Sequence, residues 1–77
     1  MAQINVVTTK EEQEAVLEAL DDINGEIVPV SKIADVANLP YSRARYALLD
    51  LIEAGKVEKI PHRNFNKHYV RYSYNVL

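Results

Sequence analysis

Apolar positions recur at the ~100° spacing of a helix in three stretches of this chain, and then the period changes. Val16, Leu17, Leu20 and Ile23 make the first stripe, with Glu14, Glu18, Asp21 and Asp22 opposite. Thr9 with Glu12, or Thr8 with Glu11, has the spacing of a capping box. Glu11, Glu12 and Glu14 suit the positive end of a helix dipole, and Gly25, beside Asn24, supplies a left-handed stop. These marks predict helix 1 over residues 9–24. In the second stretch Ile33, Val36 and Ala37 face inward, Ser31 is placed to cap, and Asn38 tolerates the left-handed geometry that ends a helix, predicting helix 2 over 31–38. The third runs over 40–54. Pro40 suits its first turn, Gly55 stops it, and Ala44, Leu48, Leu51 and Ile52 form its apolar side. Ser42, Arg43, Tyr46, Asp50 and Glu53 point the other way, with Arg45 and Leu49 on the flank.

Between helices 1 and 2, "EIVPV" contains Pro29, which cannot donate to a ladder, so it is a short edge strand or an extended linker. Beyond Gly55, "KVEKI" and "HYVRYSY" are short and rich in β-branched and aromatic residues, and they read as a hairpin over 56–75. "PHRNFNK" is then a seven-residue connecting loop, longer than usual for a hairpin. Either Val70, Tyr72 and Tyr74 or Tyr69, Arg71 and Ser73 face the core, the former set being the more apolar. Residues 1–8 form an N-terminal arm or a short strand.

At 77 residues one domain is expected. The fold class this pattern predicts is α+β and mainly helical: a winged helix-turn-helix, three helices plus a C-terminal β-hairpin wing. Helices 2 and 3 are joined by a tight turn at Asn38 and Leu39, and the small Ala34 lets them approach. In such an arrangement the second helix of the pair enters the DNA major groove.

Charge sharpens this expectation. The chain carries a net −2, yet residues 1–40 hold eight carboxylates and only Lys10 and Lys32, while residues 41–77 hold seven Lys/Arg and three carboxylates. Such a split provides one face for an anionic partner, or lets the two halves attract each other. Helix 3 poses the question most directly. Arg43 and Arg45 sit in its first turns and Asp50 and Glu53 in its last, the reverse of what a helix dipole favours. The cost is a few tenths of a kcal/mol, whereas one bidentate arginine–guanine pair returns ~1–3 kcal/mol of discrimination. Tyr41, Ser42, Arg43 and Tyr46 are therefore the base-edge candidates. Arg45, Arg63 and Lys67 are the phosphate candidates, and Asn64 and Asn66 are hydrogen-bonding groups in the wing loop, with Phe65 at its tip.

Other chemistries lack parts. With no cysteine there is no disulfide, thiolate metal site or thiol nucleophile. His62 and His68 alone do not make a metal site, and no cofactor is expected. There is no glycine-rich phosphate loop, so the chain does not read as an enzyme. No signal-peptide core and no run near ~20 apolar residues is present, which predicts a soluble, cytoplasmic protein with no membrane partner.

Over "KIADVANLPYSRARYALLDLIEAGKVEK" the chain resembles the FaeA-like/PapI-like winged helix-turn-helix regulators of bacterial fimbrial operons. The similarity covers Ile33 and Ala34, then Ala44, Arg45 and Tyr46, then Leu48, Leu49 and Leu51, Ala54, Gly55 and Val57, and finally Pro61 and Arg63. It spans about residues 27–64. The resemblance implies a small DNA-binding transcriptional regulator with Arg45 and Arg63 as functional residues. Some members of the family act with a global co-regulator. The acidic helix 1, Arg43 and a wing loop without glycine depart from the family's pattern, so no operon, co-regulator or target sequence carries over. A phage regulator of the same fold would share these features. The expected partner is double-stranded DNA, with a homodimer or a protein co-regulator extending the contact. The alternative is a winged-helix protein–protein interaction module with little DNA affinity of its own, and RNA binding is a weaker third.

Overall fold

The computed structural model describes residues 7–63 and 70–77. Three helices, α1 (Lys10–Ile23), α2 (Val30–Ala37) and α3 (Tyr41–Glu53), precede two antiparallel strands, β1 (Val57–Arg63) and β2 (Val70–Val76). This is an α+β, mainly helical layout with its sheet at the C-terminal end, compatible with a winged helix. Among the described residues no helix is long and apolar enough to cross a membrane.

Each helix is bounded by local chemistry. Thr9 and Glu12 close a reciprocal capping box at the start of α1. Asn24 ends α1 in the left-handed region at φ 57, and Gly25 follows at φ +79. A Cβ on Gly25 would stand 3.2 Å from the Asn75 side chain, so both backbone conformation and space favour glycine there. α2 begins two residues earlier than expected, cap for cap. Pro29 is its N-cap in extended geometry, and the Pro29 carbonyl accepts from the N–H groups of Lys32 and Ile33. Ser31 lies inside the first turn and makes no cap. Asn38, at φ 58, ends α2 as its spacing predicts. Pro40 is the N-cap of α3 rather than its first residue, and Ala54 is the C-cap.

The core sits among the three helices and against one face of the hairpin, which α1 and α3 meet. It contains Val16, Ala19, Leu20 and Ile23 of α1, Ile33 and Ala34 of α2, Ala44, Ala47, Leu48 and Leu51 of α3, and Val57 and Tyr74 of the strands. Two inward assignments change. Val36 is 37% exposed, its place taken by Ala34, and Ile52 packs only at the edge of the core. Burial pushes the Tyr74 phenol above its ordinary pKa, which keeps this core group neutral.

The strands pair from Val57↔Val76 to Arg63↔Val70. Alternation puts Val70, Tyr72 and Tyr74 on the helix-facing side, the more apolar of the two sets. Ser73, on the other face, is nonetheless 3% exposed, with its Oγ 2.8 Å from His62 Nε2. β1 runs farther than its composition suggests: Pro61, His62 and Arg63 belong to the strand and not to a loop. Each strand of a two-stranded sheet keeps one unpaired edge, so a proline is tolerated there. Residues 26–29 are extended linker, tied to β2 by a bond from the Val28 N–H to the Tyr72 carbonyl at 3.3 Å.

Candidate nucleic-acid interface

α3 is held against α2 by the short turn through Asn38, Leu39 and Pro40. There the Leu39 N–H donates to the Ala34 carbonyl at 3.0 Å, and half-buried Leu39 packs on the core. The buried arc of α3 fixes which residues remain outside. Around that outside, α1 claims one flank.

Arg43 belongs to the claimed flank. Its Nε donates to Glu12 Oε2 at 2.8 Å and its Nη2 to Glu12 Oε1 at 2.6 Å. The same Nη2 donates to the Val7 carbonyl at 3.2 Å. This is the forked arginine–carboxylate geometry, stronger than a single bond between neutral groups. Glu12 is aimed there by its own helix: Oε1 also accepts from the Thr9 N–H at 2.9 Å, and the Glu12 N–H donates to Thr9 Oγ1 at 3.1 Å. The Arg43 guanidinium and the Thr9 N–H together hold the Glu12 carboxyl down to about 2 from an ordinary 4.5. The same pairing raises Arg43 above its usual value.

The reversed charge order of α3 thus has an internal cause at one of its two arginines. The first turn of α3 contains no acidic residue. Glu12 of α1 supplies one from outside, so a single carboxylate serves the N-terminal turns of two helices. Asp50, near the other end of α3, is likewise engaged. Thr8 Oγ1 donates to Asp50 Oδ2 at 2.6 Å and itself accepts from Gln13 Nε2 at 2.9 Å. At Glu12 and Arg43 the acidic and basic halves of the chain attract each other.

Arg43, expected at a base edge, bridges α1 and α3 through Glu12 instead of standing free on the outer surface. Tyr41 and Ser42 are exposed, and Tyr46 is half-buried close to Arg43. Arg45, expected on the flank, is exposed and makes no salt bridge among the described residues. Leu49 is 42% exposed and Tyr41 55%. Tyr41, Arg45, Leu49 and Glu53 are spaced four apart and form one surface ridge of the helix. The exposure of Leu49 follows from its place off the apolar arc of Ala44, Leu48 and Leu51.

Arg63 is exposed at the end of β1, opposite Val70. Asn64, Asn66 and Lys67, with Phe65, lie outside the described residues. Of the three carboxylates able to interrupt a cationic face, Asp50 is bonded to Thr8, Glu58 lies on the sheet face opposite Lys59, and Glu53 ends the Arg45 ridge. Lys59 rests its ammonium 4.1 Å from the centre of the Tyr72 ring.

No protein-family model, curated protein or solved structure matches the chain.

Proposed function

We propose that this chain is a winged helix-turn-helix regulator that binds double-stranded DNA, with α3 in the major groove and the β1–β2 hairpin as the wing. One observation carries the reading. Of the two arginines at the start of α3, Arg43 is paired with Glu12 inside the fold, while Arg45 is exposed on the outer ridge and makes no salt bridge among the described residues. Arg45 thereby moves from a phosphate role to a base-edge role, and Arg63 remains a phosphate contact along the wing. The likeness to FaeA-like/PapI-like regulators over residues 27–64 supports the same reading, and a regulator of that kind would work in a bacterial cytoplasm. A monomer of this size reaches few phosphates, so a homodimer or a co-regulator completes the contact.

The test is a salt titration of duplex binding with oligomeric state measured in parallel. Log affinity should fall linearly with log salt at about −0.9 per phosphate neutralised. A monomer making about three to five contacts gives a slope of about −2.7 to −4.5, and a dimer about twice that. Binding that is absent at low salt for every duplex tried would sink the proposal.

A second reading has its own observation. Tyr41 and Leu49 are exposed apolar groups on the outer ridge, and Glu11, Glu14, Glu18, Asp21 and Asp22 face solvent from α1. Those features suit a protein-interaction module, in which α3 docks on another protein and the acidic face of α1 repels DNA.

A further inference from the structure

We infer that the outer ridge of α3 reads a guanine beside a thymine, with Arg45 on the guanine edge and Leu49 on the thymine methyl. The inference rests on the DNA-binding reading and adds to it the chemistry of the target.

Exposed apolar side chains scattered singly need no explanation. Here two of them, Tyr41 and Leu49, flank an arginine at four residues on either side, on one ridge. The arginine makes no salt bridge among the described residues. What remains is a guanidinium between two apolar groups, with the Glu53 carboxylate one turn farther along at the end of the helix. In the major groove a guanidinium fits the O6 and N7 acceptors of guanine, and an apolar side chain fits the C5-methyl of thymine, which no other natural base offers.

Spacing limits the register. Residues four apart lie about 6 Å apart along a helix axis, and base pairs are stacked about 3.4 Å apart. Leu49 therefore meets a base one or two steps from the one that Arg45 reads. A leucine is short and an arginine long, so this pairing also needs the Leu49 end of the ridge to approach the groove floor closely.

The experiment selects duplexes from a randomised library with the full chain, then alters single atoms of the selected duplex. Deoxyuridine in place of a thymine removes only the methyl, and 7-deazaguanine removes only N7. The wild-type chain should lose about fourfold in affinity on the uracil duplex, the value of one buried methyl. It should lose about tenfold on the deaza duplex. Leu49→Ala should bind uracil and thymine duplexes equally, and Arg45→Ala should be indifferent to N7. A wild-type chain insensitive to uracil at every thymine overturns the inference while leaving DNA binding intact, and needs no variant to fold. A Leu49→Ala protein that keeps the thymine preference overturns it as well. Enrichment of no duplex overturns both this and the DNA-binding reading.

Discussion

Arg43 and Arg45 are two residues apart on the same helix and lead opposite lives. Arg43 turns toward α1, where a capping-box glutamate meets it with both oxygens and the Val7 carbonyl takes a third bond. Arg45 turns toward solvent between Tyr41 and Leu49. Rotation of ~200° about the helix axis separates them. The difference teaches that a cation at a helix N-terminus is not by itself a ligand-binding group. Its meaning depends on whether the fold delivers a carboxylate to it, and here α1 delivers one to the first arginine alone.

The largest effect that could break this contrast is on binding. Arg45→Ala should lower affinity for a selected duplex by about 10- to 100-fold, the range for one bidentate base contact, with little change in melting temperature. Arg43→Ala should do the reverse: a lower melting temperature, with the preference among duplexes kept. If Arg43→Ala instead erased sequence preference at unchanged stability, the two roles would be exchanged.

Next in size is the second tie on the same flank. Thr8→Val keeps shape but removes the donor to Asp50, and should cost about 1–2 kcal/mol in denaturant unfolding. An equal loss in an Asp50→Ala background, where no side-chain acceptor remains, would show that the hydroxyl acts through some other partner.

The smallest effect is on pH dependence. The Glu12 carboxyl titrates near 2 in the fold and near 4.5 when free. Its contribution to stability is therefore present above about 4.5 and is lost as pH falls toward 2. Thermal unfolding of the wild-type chain should weaken more steeply through that window than unfolding of Glu12→Gln, and the two curves should run parallel above pH 5.

The sequence made the helices legible because their boundaries are set locally. Thr9 with Glu12, Asn38 and Gly55 act within a turn of the chain, and the apolar stripes needed no tertiary information. The α2 start was missed because a proline carbonyl can open a helix without a capping side chain, which left Ser31 as the more conspicuous candidate. The strand ends were missed for a similar reason. Pro61 and His62 look like loop residues, and only the open edge of a two-stranded sheet makes room for them. The site was harder still. Helical spacing alone placed Arg43 and Asp50 outward and Arg45 and Leu49 to the side. The flank that α1 covers is set by contacts spanning 31 and 42 residues, and no local pattern reports those. What the charge count did register was the attraction between an acidic first half and a basic second half, and Glu12 with Arg43 is where it becomes a bond.

Val7 and Thr8 belong to no helix or strand, and a diagram of elements would leave them off as a tail. Yet Thr8 is 7% exposed, its hydroxyl holds Asp50, and the carbonyl of Val7 helps to seat Arg43. A chain trimmed back to Lys10 would keep every helical residue, but it would strand a carboxylate and take from Glu12 the backbone donor of its capping box. For anyone cutting, tagging or grafting this domain, its working boundary lies ahead of its first helix, and the two residues that draw no symbol are part of what keeps α3 facing the right way.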